Sequence, residues 1–237
     1  MAAPVVAVSG ASGKTGYRIA EELLAVGVQP RLLLRSESAV PTSLSGCEQV
    51  RLNIANEPAL DQALCGVEAL IIATGARPSI DLSGPMRVDA WGVKRQVEGC
   101  QRNNVNRVVL VSSLCAGRWR HPLNLFGLIL LWKRMGERAL ERSGLDWTVV
   151  RPGGLSERES GLESEGIRLT GPDQQEKNSI PRRLVARFCV DALKAPGSIG
   201  RILEITSGEN VPQVALNDAL ALDGPRQKYL FRANRAQ

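Results

Sequence analysis

The chain has 237 residues, of which 43% are hydrophobic, so it is long enough to bury the core of one large domain. Its net charge is +6, but the basic residues are dispersed and only 4% of the residues are aromatic, so we expect no nucleic-acid partner. A single histidine and five scattered cysteines without a Cys-x-x-Cys pair exclude a site built on several histidines and argue against a zinc site or a disulfide framework.

The N-terminus and the longest apolar stretch bear on the location of the protein. Strand-like sequence begins at Val5 and leaves no room for a signal peptide. The longest apolar run lies within residues 123–132 and is closed by Lys133 and Arg134, so it is shorter than the about 20 residues that a membrane-spanning helix needs. We therefore expect a cytoplasmic protein in a reducing compartment, with no transmembrane segment and no bound metal.

In chain order, seven short apolar runs bounded by polar turns predict β-strands, and helix-length amphipathic segments separate most of them. Runs rich in Val, Ile and Leu suit strands that are buried on both faces, and alternation of strands with helices is typical of a parallel sheet. The sequence predicts an α/β fold, a doubly wound parallel Rossmann-like sheet with helices on both faces. The strands are expected at residues 5–9, 31–34, 49–52, 69–74, 107–112, 148–151 and 202–206.

A glycine-rich turn follows the first predicted strand and precedes an amphipathic helix. Gly10, Gly13 and Gly16 recur at intervals of three, a pattern that lets backbone amides approach a pyrophosphate at a helix N-terminus. The Gly-Lys-Thr tripeptide at 13–15 also suggests a nucleoside-triphosphate loop. That motif, however, needs a glycine five residues before Gly13, where Val8 stands. The spacing therefore favours a dinucleotide over a triphosphate.

The end of the second predicted strand bears on the choice of cofactor. An NAD-binding domain places an acidic residue there, whereas this chain has Arg35 followed by Ser36. A guanidinium with an adjacent hydroxyl binds a 2′-phosphate through charge-assisted hydrogen bonds. Lys14, inside the glycine turn, is expected to supply a second positive charge near the same phosphate. The predicted cofactor is therefore NADP(H).

The composition of the remaining segments predicts one domain, a loop within it and a C-terminal tail. We predict a single NAD(P)-binding Rossmann-like domain over residues 1–208. Within it, residues 156–178 are rich in Glu, Ser, Gly and Gln and are expected to form a substrate-side loop over the ligand end of the sheet. The charges of this loop are interpreted as a solvated surface. Residues 209–237 are predicted to be a C-terminal tail, with a short helix at 214–222 and a basic end at 226–235.

Several motifs follow one another in a recognisable order. They are SGASGKTG at 9–16, Arg35, ATGA at 73–76, VSS at 111–113, WKR at 132–134 with Glu137, SGLDWTVVRPGGL at 143–155, and IPRRLVA at 180–186. Together they resemble the atypical short-chain dehydrogenase/reductases, in particular the NAD(P)-binding, NmrA-like branch that is common in cyanobacteria and plant plastids. The resemblance covers roughly residues 4–207.

The resemblance implies a cofactor site that draws on most of these motifs. The glycine turn would bind the phosphates, Arg35 the 2′-phosphate, and Asn53, which stands where many relatives have an aspartate, the adenine amino group. Residues 73–75 would line the adenosine ribose, Lys133 would hold the nicotinamide ribose, and the backbone of residues 152–155 would flank the carboxamide. The implied cofactor-binding residues are Gly10, Ser12, Gly13, Lys14, Thr15, Gly16, Arg35, Asn53, Ala73, Thr74, Gly75, Ser112, Lys133, Pro152, Gly153, Gly154 and Leu155.

The usual proton donor of this superfamily, a tyrosine four residues before the lysine, is absent. Ile129 stands at that position, and neither tyrosine of the chain is followed by a lysine four residues later. Carbonyl reduction needs a proton beside the developing alkoxide, which leaves Ser113, His121 or water to supply it. Histidine is the side-chain type that most often transfers protons in catalysis, although a lone loop histidine such as His121 is also a common surface residue. The candidate catalytic residues are Ser113, Lys133 and His121.

These residues are compatible with two functions. The preferred one is an NADPH-dependent oxidoreductase, an atypical short-chain reductase without the usual tyrosine, acting on a small or medium apolar-faced substrate. Hydride transfer to an activated carbon-carbon double bond suits such a site, because it depends less on a strong side-chain acid. The alternative is a non-catalytic NADP(H)-binding redox sensor or assembly factor. The partner is accordingly either a small-molecule substrate or another protein.

Overall fold

The first half of the chain alternates between strands and helices. A computed structural model describes residues 4–76, 83–116, 118, 120–125 and 127–222. Apolar runs form the central strands, and each of the first two helices buries one apolar face. The elements of this half are β1 (Val5–Ser9), α1 (Gly16–Ala25), β2 (Gln29–Leu34), a 3-10 turn (Thr42–Leu44), β3 (Glu48–Arg51), α2 (Glu57–Leu64) and β4 (Ala69–Ile72).

The second half continues the alternation and then adds short strands. It begins with a π-helical segment (Met86–Gly92) that runs directly into α3 (Val93–Arg102). The elements that follow are β5 (Arg107–Val111), a 3-10 turn (Pro122–Leu125), α4 (Ile129–Glu141), β6 (Asp146–Pro152), β7 (Gly154–Ser156), β8 (Gly166–Thr170), β9 (Ser179–Pro181), α5 (Arg182–Lys194), a 3-10 turn (Pro196–Ser198), β10 (Arg201–Gly208) and α6 (Leu216–Leu222).

The main sheet is doubly wound. In the described part of the chain it contains eight strands in the order β3-β2-β1-β4-β5-β6-β10-β8, and β7 pairs separately with β9. Neighbours in the main sheet run parallel except β8, which is antiparallel to β10. Because β1 lies between β2 and β4, the direction of winding reverses there, and such folds bind ligands in the crevice at this reversal. The predicted fold class is confirmed.

Helices cover both faces of the sheet and bury it. Val6 and Val8 of β1 belong to a buried core shared with α1 and α5. Ala7, between them, belongs to a second core shared with α2, α3 and α4. Successive side chains of a strand point to opposite faces, so one short apolar run serves both cores. This explains why the strand sequences are almost continuously apolar.

The predicted substrate-side loop is only partly irregular. Within it, β8 joins the main sheet next to β10, a strand that the sequence did not predict. Ile167 and Leu169 pack on the first core, whereas Arg168 between them is exposed. Two apolar residues in alternation are too short a pattern to distinguish a strand from a loop. Pairing with β10, which is distant in the sequence, is what makes this segment a strand.

The predicted tail begins with a helix that packs on the domain. α6 at Leu216–Leu222 lies close to the predicted range of 214–222. Leu220 is buried in the first core, so the core continues past residue 208. The basic end at 226–235 lies outside the described residues.

Membrane-spanning helices, metal clusters and disulfides are absent from the described part of the chain. No helix in the described ranges is long and apolar enough to cross a membrane, and no cluster of three His, Cys, Asp or Glu side chains there is arranged to hold a metal ion. All five cysteines lie within these ranges and are free. Burial raises the pKa of Cys100 to about 12 and also raises that of Cys189. Such thiols pack as small apolar side chains.

A buried ion network joins α4 to the sheet. Arg151 on β6 donates to both carboxylate oxygens of Glu137, with Nε 2.9 Å from Oε1 and Nη2 2.8 Å from Oε2. Its Nη1 lies 3.1 Å from Oδ1 of Asp173 and 3.4 Å from Oε1 of Glu204 on β10. Burial acts to lower the pKa of Arg151, but the hydrogen bond and charge of Glu137 outweigh it and raise that pKa. Removing one member of such a network leaves the others as unpaired buried charges.

We expect Arg151→Gln to lower the free energy of unfolding by about 3–5 kcal/mol, because it leaves the buried Glu137 carboxylate without its main partner. Urea denaturation followed by circular dichroism measures the loss. The control is Arg138→Gln, an exposed position on α4 without a side-chain partner among the described residues, where we expect a change within about 0.5 kcal/mol. Equal effects of the two substitutions would contradict this account of the network.

Candidate functional site

Residues that the sequence singled out meet at one edge of the sheet. The pairing of strands aligns Ser9 of β1 with Leu33 of β2 and with Ile72 of β4. Parallel strands present their carboxyl ends at the same edge. The glycine turn after β1, Arg35 after β2 and Thr74 after β4 are therefore neighbours along this edge.

Close backbone contacts require two of the glycines in the turn. Gly10 has a φ of +83°, and a Cβ on it would lie 2.8 Å from backbone atoms of Ala73 and Thr74. A Cβ on Gly16 would lie 2.1 Å from the carbonyl oxygen of Gly10. The N–H of Gly13 donates to that same oxygen at 2.8 Å. Gly10 thus permits the bend against β4 and Gly16 permits the helix to approach the turn.

The start of α1 offers amide groups to a ligand. Among the described residues, the N–H groups of Ser12, Lys14 and Thr15 have no acceptor. The hydroxyl of Thr15, at the N-cap position, does not cap the helix. It accepts a hydrogen bond from Nη1 of Arg182 at 2.9 Å instead. Free N–H groups at a helix N-terminus, together with the helix dipole, attract an anion such as a phosphate.

A buried hydroxyl lies beside the turn. Oγ1 of Thr74 is buried and makes no hydrogen bond within the described part of the chain. A buried unpaired hydroxyl costs about 1–3 kcal/mol unless water or a ligand pairs with it. A dinucleotide fits this edge, because its phosphates can accept from the free amides of the turn and its ribose hydroxyls can pair with the hydroxyl of Thr74.

Arg35 is available at the end of β2. Its side chain is exposed and has no ion pair or side-chain hydrogen bond among the described residues. The loop that carries it is shaped by Arg51 of β3, whose Nη1 donates to the carbonyl oxygens of Ser36 and Ser38 at 2.7 and 2.8 Å. Asn53 follows β3, and its Oδ1 accepts a backbone N–H two residues further on at 3.0 Å. The sequence did not single out Arg51, because its role depends on the pairing of β2 with β3.

Lys14 contacts the predicted substrate-side loop. Its Nζ lies 3.0 Å from Oε1 of Glu157, and Arg18 and Arg182 contact the same carboxylate. Glu159 of the same loop pairs with Arg18. The expectation of a solvated surface fits Glu157 and Glu159, since both are exposed although cations from α1 and α5, far apart in the sequence, converge on them. It is wrong for Glu165, which is buried and pairs with Arg158.

Lys133 on α4 is held by a buried carboxylate. Its Nζ donates to Oδ1 of Asp89 at 2.8 Å, and Oδ2 of Asp89 accepts the N–H of Ala76 at 3.3 Å. A Cβ on Gly75 would lie 3.9 Å from Nζ and 4.0 Å from Oδ1, so the pair adjoins the loop after β4. α4 approaches the π-helical segment closely, since a Cβ on Gly136 would lie 2.2 Å from the carbonyl oxygen of Asp89. Asp89 was missed because a lone aspartate in an amphipathic segment carries no signal of its partner.

The two serines after β5 have different surroundings. Oγ of Ser112 donates to Oε1 of Glu137 at 2.6 Å, so this hydroxyl belongs to the buried ion network. Ser113 is partly exposed, and its hydroxyl makes no hydrogen bond in the described ranges. The N–H of Leu114 donates to the carbonyl oxygen of Pro152 at 3.0 Å and joins the ends of β5 and β6. Of the two serines, Ser113 is the one whose hydroxyl is free for a ligand.

The segment between β5 and α4 contains His121 and an apolar helix start. Nδ1 of His121 accepts a backbone N–H two residues further on at 3.3 Å. Among the described residues, no hydrogen bond or ion pair joins His121 to Ser113 or Lys133. Ile129 begins α4 and packs against the apolar residues that follow β5, including Leu114. The position of the usual tyrosine is thus part of an apolar surface.

The backbone after β6 is closely packed. A Cβ on Gly153 would lie 2.5 Å from the carbonyl oxygen of Asn178, and the N–H of Gly153 donates to the carbonyl oxygen of Ile205 at 2.9 Å. Gly154 begins β7, and Leu155 is an exposed apolar side chain. The residues expected to flank the carboxamide therefore follow a path that tolerates only glycine at 153.

The chain is similar to known proteins along most of its length. Residues 10–196 match the sequence model of a family described as NAD(P)H-binding. An uncharacterized chloroplastic protein of Arabidopsis thaliana is 33% identical over 230 residues, which cover 91% of this chain and 81% of that protein. Sanguinarine reductase of Eschscholzia californica is 31% identical over 232 residues, with coverages of 80% and 84%. A Bacillus halodurans structure classed with the NAD-dependent epimerase/dehydratases has a TM-score of 0.79 at 25% identity, covering 93% of this chain and 100% of that one.

We expect Gly10→Ala to abolish dinucleotide binding, whereas Gly27→Ala should leave it within about twofold. Both glycines have positive φ, at +83° and +76°, but nothing lies within 4 Å of a Cβ on Gly27. The two variants share a backbone strain of about 1–2 kcal/mol, and only Gly10→Ala adds a clash with backbone. Fluorescence titration with NADPH and urea unfolding of both variants separate the two effects. Equal losses of binding would contradict the assigned role of the turn.

Proposed function

Because this chain belongs to the NAD(P)H-binding family, we propose that it is an NADPH-dependent oxidoreductase without the usual tyrosine, acting on a small or medium apolar-faced substrate. The observation that carries the proposal is the pair formed by Lys133 and the buried Asp89 at the ligand edge. A lysine that is fixed in advance by a buried carboxylate can donate to a ligand without reorganisation. The 31% identity to a protein named as a reductase also supports a reductive role.

NADPH is proposed over NADH because of the charge at the end of β2. Arg35 is exposed and has no carboxylate partner among the described residues, so its guanidinium is available to a 2′-phosphate through charge-assisted hydrogen bonds. The adjoining Ser36 adds a hydroxyl and places no acid next to the phosphate. An acidic residue at this strand end, as in NAD-specific domains, would repel the phosphate instead.

The roles of the site residues follow from their surroundings. NADPH, when bound, would supply the hydride. Lys133, held by Asp89, would donate hydrogen bonds to the nicotinamide ribose, and the free hydroxyl of Ser113 would donate to an oxygen of the substrate. Ile129 contributes an apolar surface, which suits an apolar substrate face. Since no hydrogen bond or ion pair joins His121 to Ser113 or Lys133 among the described residues, water or Ser113 is the proposed route for the proton, and reduction of an activated double bond is the proposed reaction.

One observation favours a second candidate, a cofactor-binding redox sensor or assembly factor without turnover. The position of the usual tyrosine carries Ile129, which packs into an apolar cluster at the start of α4. A protein of this kind would keep the glycine turn and Arg35 and would not need a proton donor. Binding of NADPH without oxidation by any of a panel of quinones, enones and carbonyls would favour this candidate.

The proposed location is the cytoplasm, and the proposed partner is a small molecule. Free cysteines fit a reducing compartment. The Arabidopsis relative is named as chloroplastic, so localisation of a fluorescent fusion in the native cell is the direct check. Recovery in an organelle would replace the cytoplasmic assignment.

We expect Arg35→Ala to raise the dissociation constant of NADPH by about 10- to 100-fold, the worth of a charged hydrogen bond of about 1.5–3 kcal/mol. The dissociation constant of NADH should change by less than about threefold, because NADH has no 2′-phosphate. Isothermal titration calorimetry measures both. The control is Arg95→Ala, at an exposed position on α3. Equal losses of affinity for NADPH and NADH would contradict the assignment of Arg35 to the 2′-phosphate.

We expect Lys133→Met to lower kcat by about 10²-fold, because the nicotinamide ribose loses the donor that would position it for hydride transfer. Lys94→Met, on the exposed face of α3, is the control and should keep the wild-type rate. Turnover is followed as NADPH oxidation with the substrate panel, and urea unfolding corrects for the loss of stability when Asp89 is left unpaired. Equal rates for wild type and Lys133→Met would remove Lys133 from the mechanism.

A further inference from the structure

Three cations converge on one carboxylate at the mouth of the glycine turn. Oε1 of Glu157 lies 3.0 Å from Nζ of Lys14 and 2.9 Å from Nε of Arg182, and Oε2 lies 3.2 Å from Nη2 of Arg18. The cations come from the turn, from the first helix and from α5, whereas Glu157 comes from the segment after β7. An arrangement of three donors around one anion is a binding geometry for an oxyanion.

Two of these cations are fixed to the turn itself. Nη1 of Arg18 donates to the carbonyl oxygen of Lys14 at 2.6 Å, and the side chain of Arg18 is only 5% exposed. Nη1 of Arg182 donates to the hydroxyl of Thr15 at 2.9 Å. The guanidinium groups are therefore held beside the free amides of Ser12, Lys14 and Thr15 whether or not Glu157 is present. Amides, a helix N-terminus and two guanidinium groups form one continuous anion-binding surface.

The segment that carries Glu157 has a second anchor. Glu159 accepts hydrogen bonds from Arg18 and, at 3.0 Å, from Nε of Arg183. Nη2 of Arg183 also donates to Oε2 of Glu21 on α1 at 2.7 Å. Glu157 can consequently leave the turn while Glu159 keeps the segment in place. The pair of Lys14 and Glu157 is exposed on both sides, and such pairs are weak, with a median of about 0–1 kcal/mol. An anion that replaces Glu157 keeps the buried Arg18 paired, so exchange of one anion for another is inexpensive.

Glu157 is charged at neutral pH. Burial acts to raise its pKa, but hydrogen bonds from Lys14 and Arg182 outweigh burial and lower that pKa. A carboxylate in this position repels a second anion on the same cations. Glu157 and a phosphate group would therefore compete for these cations.

We infer that Lys14, Arg18 and Arg182 form a subsite for the pyrophosphate of the dinucleotide, and that the carboxylate of Glu157 occupies this subsite until the dinucleotide displaces it. The inference rests on the cofactor binding of the proposed function and adds Arg18, Arg182 and Glu157 to its residues. It also assigns Lys14 to the pyrophosphate, in place of the 2′-phosphate that the sequence predicted. Pyrophosphate is common to NADPH and NADH, so Glu157 opposes both cofactors equally.

The test compares two substitutions that remove the same charge from the same segment. Glu157→Gln removes the competing carboxylate, whereas Glu163→Gln changes an exposed glutamate whose carboxylate has no partner among the described residues. Isothermal titration calorimetry is run with NADPH, NADH and inorganic pyrophosphate at about 0.05 M and 0.5 M salt, where screening differs strongly. We expect Glu157→Gln to bind all three ligands on the order of three- to tenfold more tightly at low salt, with a smaller gain at high salt. Glu163→Gln should stay within about twofold of wild type.

A second variant tests the cations. We expect Arg182→Gln to weaken binding of all three ligands by on the order of tenfold, the effect of losing one charge-assisted hydrogen bond. Unchanged or weaker binding by Glu157→Gln would overturn the inference, because Glu157 would then be neutral to the ligand or close over it. A gain for NADPH alone would overturn the assignment to pyrophosphate. The binding of inorganic pyrophosphate requires no turnover and no 2′-phosphate, so these results stand apart from the success or failure of the proposed reductase activity.

Discussion

The guanidinium of Arg151 is the charge on which the second half of the structure depends. It is 1% exposed, and a bare charge at that depth would favour unfolding by several kcal/mol. The fold meets this requirement by bringing three carboxylates to the guanidinium, from α4, from β10 and from the segment after β8.

The same network orders the segments around it. Glu204 accepts the backbone N–H groups of residues 173–175, so it also fixes the loop that contains them. Ser112 donates to Glu137, which draws the end of β5 into the network and leaves Ser113 as the free hydroxyl.

The orientation of α4 that pairs Glu137 with Arg151 also determines where Lys133 lies. The two residues are one helical turn apart, so they share a face of the helix. Glu137 points to β6, while Lys133 reaches Asp89 of the π-helical segment. The close approach at Gly136 leaves no room for a side chain between these elements. The position of the proposed ribose-binding lysine is thus set by packing in the core and by a second buried carboxylate, and it does not depend on a loop.

The two ion clusters differ in exposure, and we therefore expect them to differ in strength. Around Arg151 every member is tied to a strand, a helix or backbone amides, and loss of one partner is expensive. Around the glycine turn, Lys14 and Glu157 are about half or more exposed, and such pairs are weak and sensitive to salt. A strong cluster suits a scaffold that must keep its geometry. A weak cluster beside free amides suits a position where one anion replaces another.

The strands of the sheet and the glycine turn after β1 could be predicted from the sequence, because each depends on neighbours within a few residues. Local spacing also predicted dinucleotide binding, which agrees with the NAD(P)H-binding family match. The partners of single charged residues could not be predicted, since Asp89 with Lys133 and Glu157 with Lys14, Arg18 and Arg182 are joined across long stretches of chain. β8 was missed for the same reason, as its two alternating apolar residues become a strand only beside β10. The sequence by itself determined the fold class and the dinucleotide turn, because hydrophobic periodicity and glycine geometry are local. Only the tertiary structure decided which charges meet at that turn, because ion pairing depends on distances that the fold creates.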